Sequence, residues 1–372
     1  MKKFLLFFAF VVVAAACSSS DNGSDNSPVN GYDRTALLTN WADNIIIPAF
    51  ENYQQKVNDL HAKASTFTAT PTLDNLTALR ASWLEAYKAY QYVSMYYFGK
   101  AESVFLKESA NTYPTDVNGI NNNITSGAYN LALYAQFTRQ GFPALDYLIN
   151  GLDDSDAQIL TFYTINANAN KYKQYVTDVM ARLKTNADAI VADWNGGYRN
   201  TYVANNGTTV SSSVNRTTNN FVKNFERDIR TAKIGFPCGQ FSNGVLHPEN
   251  VEAYYKGDVS KELLLVSLQA AQDFFNGKHF NSETKGPGLK SYLDYVNAIR
   301  NGSRLSDIIN NQFDAIFATT DALGNNFVDQ INSDNSKMIA TYQALQAQTV
   351  YTKLDMMQAL NITVDYVDGD GD

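Results

Sequence analysis

The chain has 372 residues, 45% of them hydrophobic, with 23 Tyr, 21 Phe and a formal charge of −8. So much apolar and aromatic surface excludes a disordered chain, and the acidic balance argues against a nucleic-acid partner, which needs a basic stripe to displace phosphate counterions. The length allows about two domains.

The N-terminus reads as an address. Lys2 and Lys3 precede an apolar run, Phe4 to Val13, and then Ala14-Ala15-Ala16-Cys17. The run is too short to span a bilayer of about 30 Å and fits a secretory signal, residues 1–16. Small residues before a cysteine resemble the lipobox of bacterial lipoproteins, with Ala14 in place of the usual Leu. The resemblance implies acylation of Cys17, palmitate included, and attachment to the membrane surface without spanning it. Ser18 resembles outer-membrane sorting. Residues 17–31 carry Ser, Asn, Asp and Gly without apolar periodicity and read as a solvated tether. With Cys17 acylated, Cys238 stands alone, so no internal disulfide is possible and the fold must hold by its core.

From Tyr32 onward the pattern is helical. Leu37, Leu38, Trp41, Ile45, Phe50, Tyr53, Val57 and Leu60 form one stripe with Pro48 inside it, which predicts a kink near residue 47. Leu76, Leu79, Trp83, Tyr87, Tyr90 and Tyr97 line a second helix, with Gly99 placed to close it. Further helices are expected over 127–138, 144–150, 167–194, 213–234, 260–276, 289–300, 305–323 and 327–360. The alternation at 362–367 is the one strand signal. Gly, Asn, Thr and Ser accumulate over 195–213, which divides the chain into an N-terminal bundle, 32–195, and a C-terminal bundle, 213–372. The expected fold is all-α, two antiparallel helical bundles of roughly four main helices each, packed together.

Chemistry is announced mostly by what is missing. His61, His247 and His279 have no histidine partner at helical spacing, so a two-histidine zinc motif is excluded, and no nucleophile elbow, phosphate loop or dinucleotide fingerprint occurs. Cys238 sits in a Gly-Pro turn with His247 as its nearest histidine in sequence, which reads as incidental. Asp365, Asp368, Asp370 and Asp372 resemble half a calcium loop but lack the distal Glu. Asp153, Asp154 and Asp156 read as a turn leading into a helix N-terminus.

The segment 139–151 (RQGFPALDYLING) resembles the GxHxxE signature region of the imelysin-like family, exported bacterial proteins nominally grouped with metallopeptidases and implicated in iron uptake. Trp83, Tyr90 and Phe98-Gly99 are similar in order to that family's first long helix, which leads into a segment like Tyr113-Pro114-Thr115-Asp116. Lys233-Ile234-Gly235-Phe236-Pro237 and Pro248-Glu249-Asn250-Val251-Glu252-Ala253-Tyr254-Tyr255 look like members from the Bacteroides group, as does the closing 367–372 (VDGDGD). The resemblance covers roughly 32–372.

In the family motif, His and Glu three residues apart face one cation, joined by a Glu from the first long helix. Here the His position, two after Gly141, is Pro143, the Glu position is Asp146 and the first-helix position is Ser94. Proline offers no ligand, so the resemblance implies a metal site that is lost or rebuilt around Asp146, with Asp116 and an aromatic wall of Trp83, Tyr87 and Tyr90 nearby. No catalytic residue is assigned. The expected function is a non-catalytic envelope lipoprotein for iron or another nutrient, served by a transporter partner, with its ligand pocket near Asp146 between the bundles. The alternatives are a metallopeptidase with a rebuilt metal site, iron being the possible metal, and a structural interaction module.

Overall fold

The computed structural model describes residues 31–366. The leader, Cys17, the tether through residue 30, and Asp368, Asp370 and Asp372 lie outside the described residues. Helix α1 (34–69) starts where the Asp33 carboxylate accepts the Ala36 amide at 2.9 Å. It widens into a π-helical turn at Trp41–Ile46 before resuming at Ile47–Ala69. Pro48 has no amide to offer the Asn44 carbonyl, and Phe280 N–H donates to that oxygen instead at 2.8 Å. The expected kink thus takes the form of a π turn, with its spare carbonyl bonded by a distant segment.

Helix α2 (Leu73–Val93) is capped by Thr72 and ends short of the glycine expected to close it. Gly99 does have a positive φ of 60°, but it opens the short turn Lys100–Ser103. Helix α3 (Val117–Ser126) lies where no helix was expected, and Gly127 closes it with φ 69°. Most of the helix expected over 127–138 is therefore a loop, followed by a 3-10 turn at Tyr134–Arg139. Helix α4 (Gly141–Asn150) carries the motif region, and α5 (Asp156–Thr164) follows its Ser155 cap. Helix α6 (Ala169–Asp193) continues into Trp194 and is joined across a kink at Gly197, φ 127°, to a short helix, Arg199–Ala204. The Gly-Asn-rich stretch was expected to be irregular from 195. The Trp194 and Tyr202 rings pack against Phe98, and Tyr198 against Trp194, and after the kink helix resumes to 204.

The second half holds α7 (213–235), whose last twelve residues, Asn224–Gly235, are π-helical, then α8 (Ser260–Phe275), α9 (Leu289–Tyr295), α10 (Leu305–Asp321) and α11 (327–359), which is broken by a kink at Asp334. Helix was expected to reach residue 300. Asn301 and Gly302, both at positive φ, instead turn a two-stranded ribbon, Ile299–Arg300 with Ser303–Arg304. Residues 362–366 form no strand.

Helix α1 lies between α2 and α6, with α4 against α2 and α6, while α7, α10 and α11 pack together with α8. Helix α8 also packs along α2, and the hydrophobic core passes through both halves as one cluster. Phe274 of α8 sits at that seam, with the rings of Trp41, Tyr96 and Phe221 at 5.0, 5.6 and 5.3 Å. Among the described residues no helix is long and apolar enough to cross a membrane. Phe274→Ala, which removes an aromatic ring from this junction, should lower unfolding free energy by about 3–5 kcal/mol in a denaturant titration.

Candidate functional site

The motif helix is held by backbone fit before any chemistry. Gly141 has φ 76°, and a Cβ there would stand 2.3 Å from the Ala110 carbonyl oxygen, so only glycine lets α4 approach. Pro143 follows within the first turn, where its missing amide costs no hydrogen bond. Trp83 Nε1–H donates to the Phe142 carbonyl at 3.1 Å, and the Tyr87 ring stacks on Phe142 at 4.6 Å and 7°. Both side chains are buried and anchor α4 to α2. Asp116 is a helix cap: it accepts the Gly119 amide at 2.8 Å and pairs with Arg139 at 2.7 Å.

Asp146 is fully buried and faces the second half of the chain. Its carboxylate accepts the amides of Tyr255 at 2.9 Å and Lys256 at 3.0 Å, and the Asn150 side chain at 2.9 Å. The Tyr255 ring lies over Gly151, where a Cβ would stand 2.2 Å from it, and beside Tyr147. Segment 253–256 is thereby strapped to the middle and the C-terminal end of α4. Burial pushes Asp146 up to about 7, against the opposing pull of its three N–H donors and the Lys256 charge.

A second buried carboxylate joins the halves. Glu252 is ion-paired with Lys233 of α7, and accepts from Asn111 at 2.8 Å and Gln91 of α2 at 3.3 Å. The Gln91 carbonyl in turn accepts from Lys233 at 3.0 Å and from Ser267 of α8 at 2.8 Å. Tyr87 completes the chain by donating to Asn111.

Two cavities flank Tyr113. One, about 190 Å3, is lined by Pro143, Asp146, Glu249, Tyr254 and Tyr255. The other, about 200 Å3, lies against Tyr90, Gln91, Ser94, Asn111, Asp228 and Lys233, and adjoins a groove of about 140 Å3 that shares Ser94, Lys107, Asn224 and Asp228. Asp146 and Ser94 thus open onto different spaces. With Pro143 donorless and both Asp146 oxygens occupied by N–H groups, the motif positions do not fit a metal ion. Among the described residues no group of three or more His, Cys, Asp or Glu side chains is placed to hold one.

Sequence reasoning missed Lys107, Asn224 and Asp228. It quoted the segments containing Tyr113, Lys233 and Glu252 only as family likeness, although a Lys and a Glu in two otherwise apolar stretches were a usable signal. Cys238 is buried and donates to the Gly235 carbonyl, and burial pushes its thiol up to about 11, so it is a poor nucleophile. Asp156 starts α5 and pairs with Arg80 at 2.7 Å.

Two predictions follow from α4. Gly141→Ala should destabilise the protein by at least about 1–3 kcal/mol, read from its denaturant midpoint, because positive φ and the Ala110 carbonyl both oppose a Cβ. Asp146 has a folded pKa above its unfolded one, so the folded chain binds the extra proton between about pH 4 and 7. Its contribution to stability should therefore fall as pH rises through that window and level off above it. Urea melts of Asp146→Asn across the same range should lack this slope.

The family model for imelysin matches residues 46–352, most of the chain. Among solved structures, a Parabacteroides distasonis protein described as an iron-regulated protein A precursor superposes with a TM-score of 0.71 at 15% identity, over 87% of this chain and 94% of its own. An imelysin-like protein from Psychrobacter arcticum superposes with a TM-score of 0.70 at 20% identity, over 90% of this chain and 97% of its own. Identities this low carry the fold alone. No curated protein is significantly similar in sequence. The family match, spanning both halves and the motif helix, makes this chain a member of the imelysin family.

Proposed function

We propose that this protein is a lipid-anchored, non-catalytic binding component of iron acquisition in the cell envelope, taking its ligand between the two halves. The observation that carries the reading is the cavity beside Ser94. Polar side chains from α2, α7 and α8 meet there, at the position where the family resemblance implies a ligand from the first long helix. The link to iron rests on family membership and on a structural neighbour described as iron-regulated. Binding is favoured over peptide hydrolysis because Pro143 brings no donor and Asp146 is occupied by the amides of Tyr255 and Lys256.

Attachment rests on the stretch ending in Cys17, with Ser18 favouring the outer membrane. A membrane-bound binding protein hands its cargo to a transporter in the same envelope, so anchoring is part of the function. Cells lacking the protein should accumulate less radioactive iron under iron limitation. The wild-type gene should restore uptake, whereas Cys17→Ser should shift the protein out of the membrane fraction and restore it poorly. Unchanged uptake in the deletion strain would overturn the iron reading, and a Cys17→Ser protein still in the membrane fraction would overturn the anchor.

A further inference from the structure

We propose that the cavity beside Ser94 binds a small polycarboxylate anion, held by the ammonium groups of Lys107 and Lys233 and the hydroxyls of Tyr90 and Tyr113. The inference rests on reading that cavity as the ligand site and adds the class of ligand.

Hydrogen-bond capacity decides the class. The carboxylates and the Gln91 carbonyl on these walls each accept at least one donor already. Asp228 is ion-paired with Lys107 and accepts from Asn224 at 2.9 Å. The Gln91 carbonyl accepts twice, and Glu108 accepts from Tyr97 at 2.7 Å. The donors are in surplus. An ammonium group has three protons to give. Among the described residues Lys107 directs one to Asp228, and Lys233 directs two, to Glu252 and Gln91. Neither the Tyr90 nor the Tyr113 hydroxyl has a hydrogen-bond partner among the described residues, and both line the space. Burial raises both phenols well above their ordinary value, so they stay protonated and donate.

Walls with spare donors and occupied acceptors suit a ligand rich in anionic oxygen. A bare ferric ion would have to take Asp228 from Lys107 and strip two phenols of their protons. The groove leading inward sets Lys223, Arg227 and Lys107 against Glu108 and Asp228, a local cationic excess on a chain of net charge −8, which favours anions at the opening. At about 200 Å3 the space is below the ~300–1,000 Å3 of drug-sized pockets and suits a small acid rather than a peptide. Such an acid can arrive free or as its ferric chelate, whose uncoordinated carboxylate oxygens remain to meet the same donors.

Calorimetric titration of the purified full chain at neutral pH with citrate, and separately with ferric citrate, tests the assignment. One-to-one binding is expected with at least one of them, and tighter binding of the chelate would mark iron as the cargo. Tyr113→Phe should weaken binding about threefold to tenfold, the worth of one hydrogen bond. It should leave the melting temperature unchanged, since that hydroxyl bonds no protein group. Lys107→Gln should weaken binding tenfold or more. Absence of heat with both acids, or unchanged affinity in both variants, overturns the proposal. If the acids fail to bind while cells without the protein still lose iron uptake, the ligand class alone is wrong. Binding without any uptake defect refutes the iron reading and leaves the anion site standing.

Discussion

A carboxylate taken out of water must be answered by donors, and the join between the two halves of this protein is organised by that requirement. Asp146 from the first half is answered by backbone amides of the second, and Glu252 from the second is answered by Asn111 and Gln91 of the first as well as by Lys233. Removing one partner from such a buried ionic arrangement typically costs about 3–5 kcal/mol, because the remaining charge has no water to turn to. The aromatic seam around Phe274 supplies the bulk of the contact, but it is non-directional. The two carboxylates add directional bonds to that contact, and the cavities on either side of Tyr113 lie beside them.

The motif helix of this chain is held by backbone and aromatic fit. Gly141 lets α4 press on the Ala110 backbone, and Trp83 and Tyr87 grip Phe142. Where the resemblance implies metal donors, Pro143 starts a helix and Asp146 holds a strap of main chain. A carboxylate one methylene shorter than glutamate suits that second task, since it meets amides packed directly against its own helix.

Helix content was legible because it is written in short-range periodicity: α8, α10 and α11 were read close to their observed bounds, and α1 and α2 were recognised from their stripes although their ends were not. The misses are places where something non-local or conformational decided. Helix α3 is rich in Asn and was passed over because its start depends on Asp116 capping it, and the ribbon at 299–304 was hidden by a helical pattern that Asn301-Gly302 interrupts. At the site, sequence singled out α4 through Gly141, Pro143 and Asp146, whereas the cavity proposed as the ligand site is walled by α2, α7 and α8. It could not show that Asp146 is consumed by backbone, nor that Ser94 opens onto a different space, since both facts depend on residues more than 100 positions away.

A π-helical turn bears on how this chain can change length. It widens a helix to house one additional residue without rotating the faces on either side of it. The turn Trp41–Ile46 does so before Pro48. A relative can therefore lose a residue within this stretch, relax to ordinary α-helix, and keep the flanking side chains in phase. A gap falling inside this helix, normally a sign of misalignment, is structurally reasonable at this turn, and residue spacing counted across it would shift by one while the three-dimensional positions coincide.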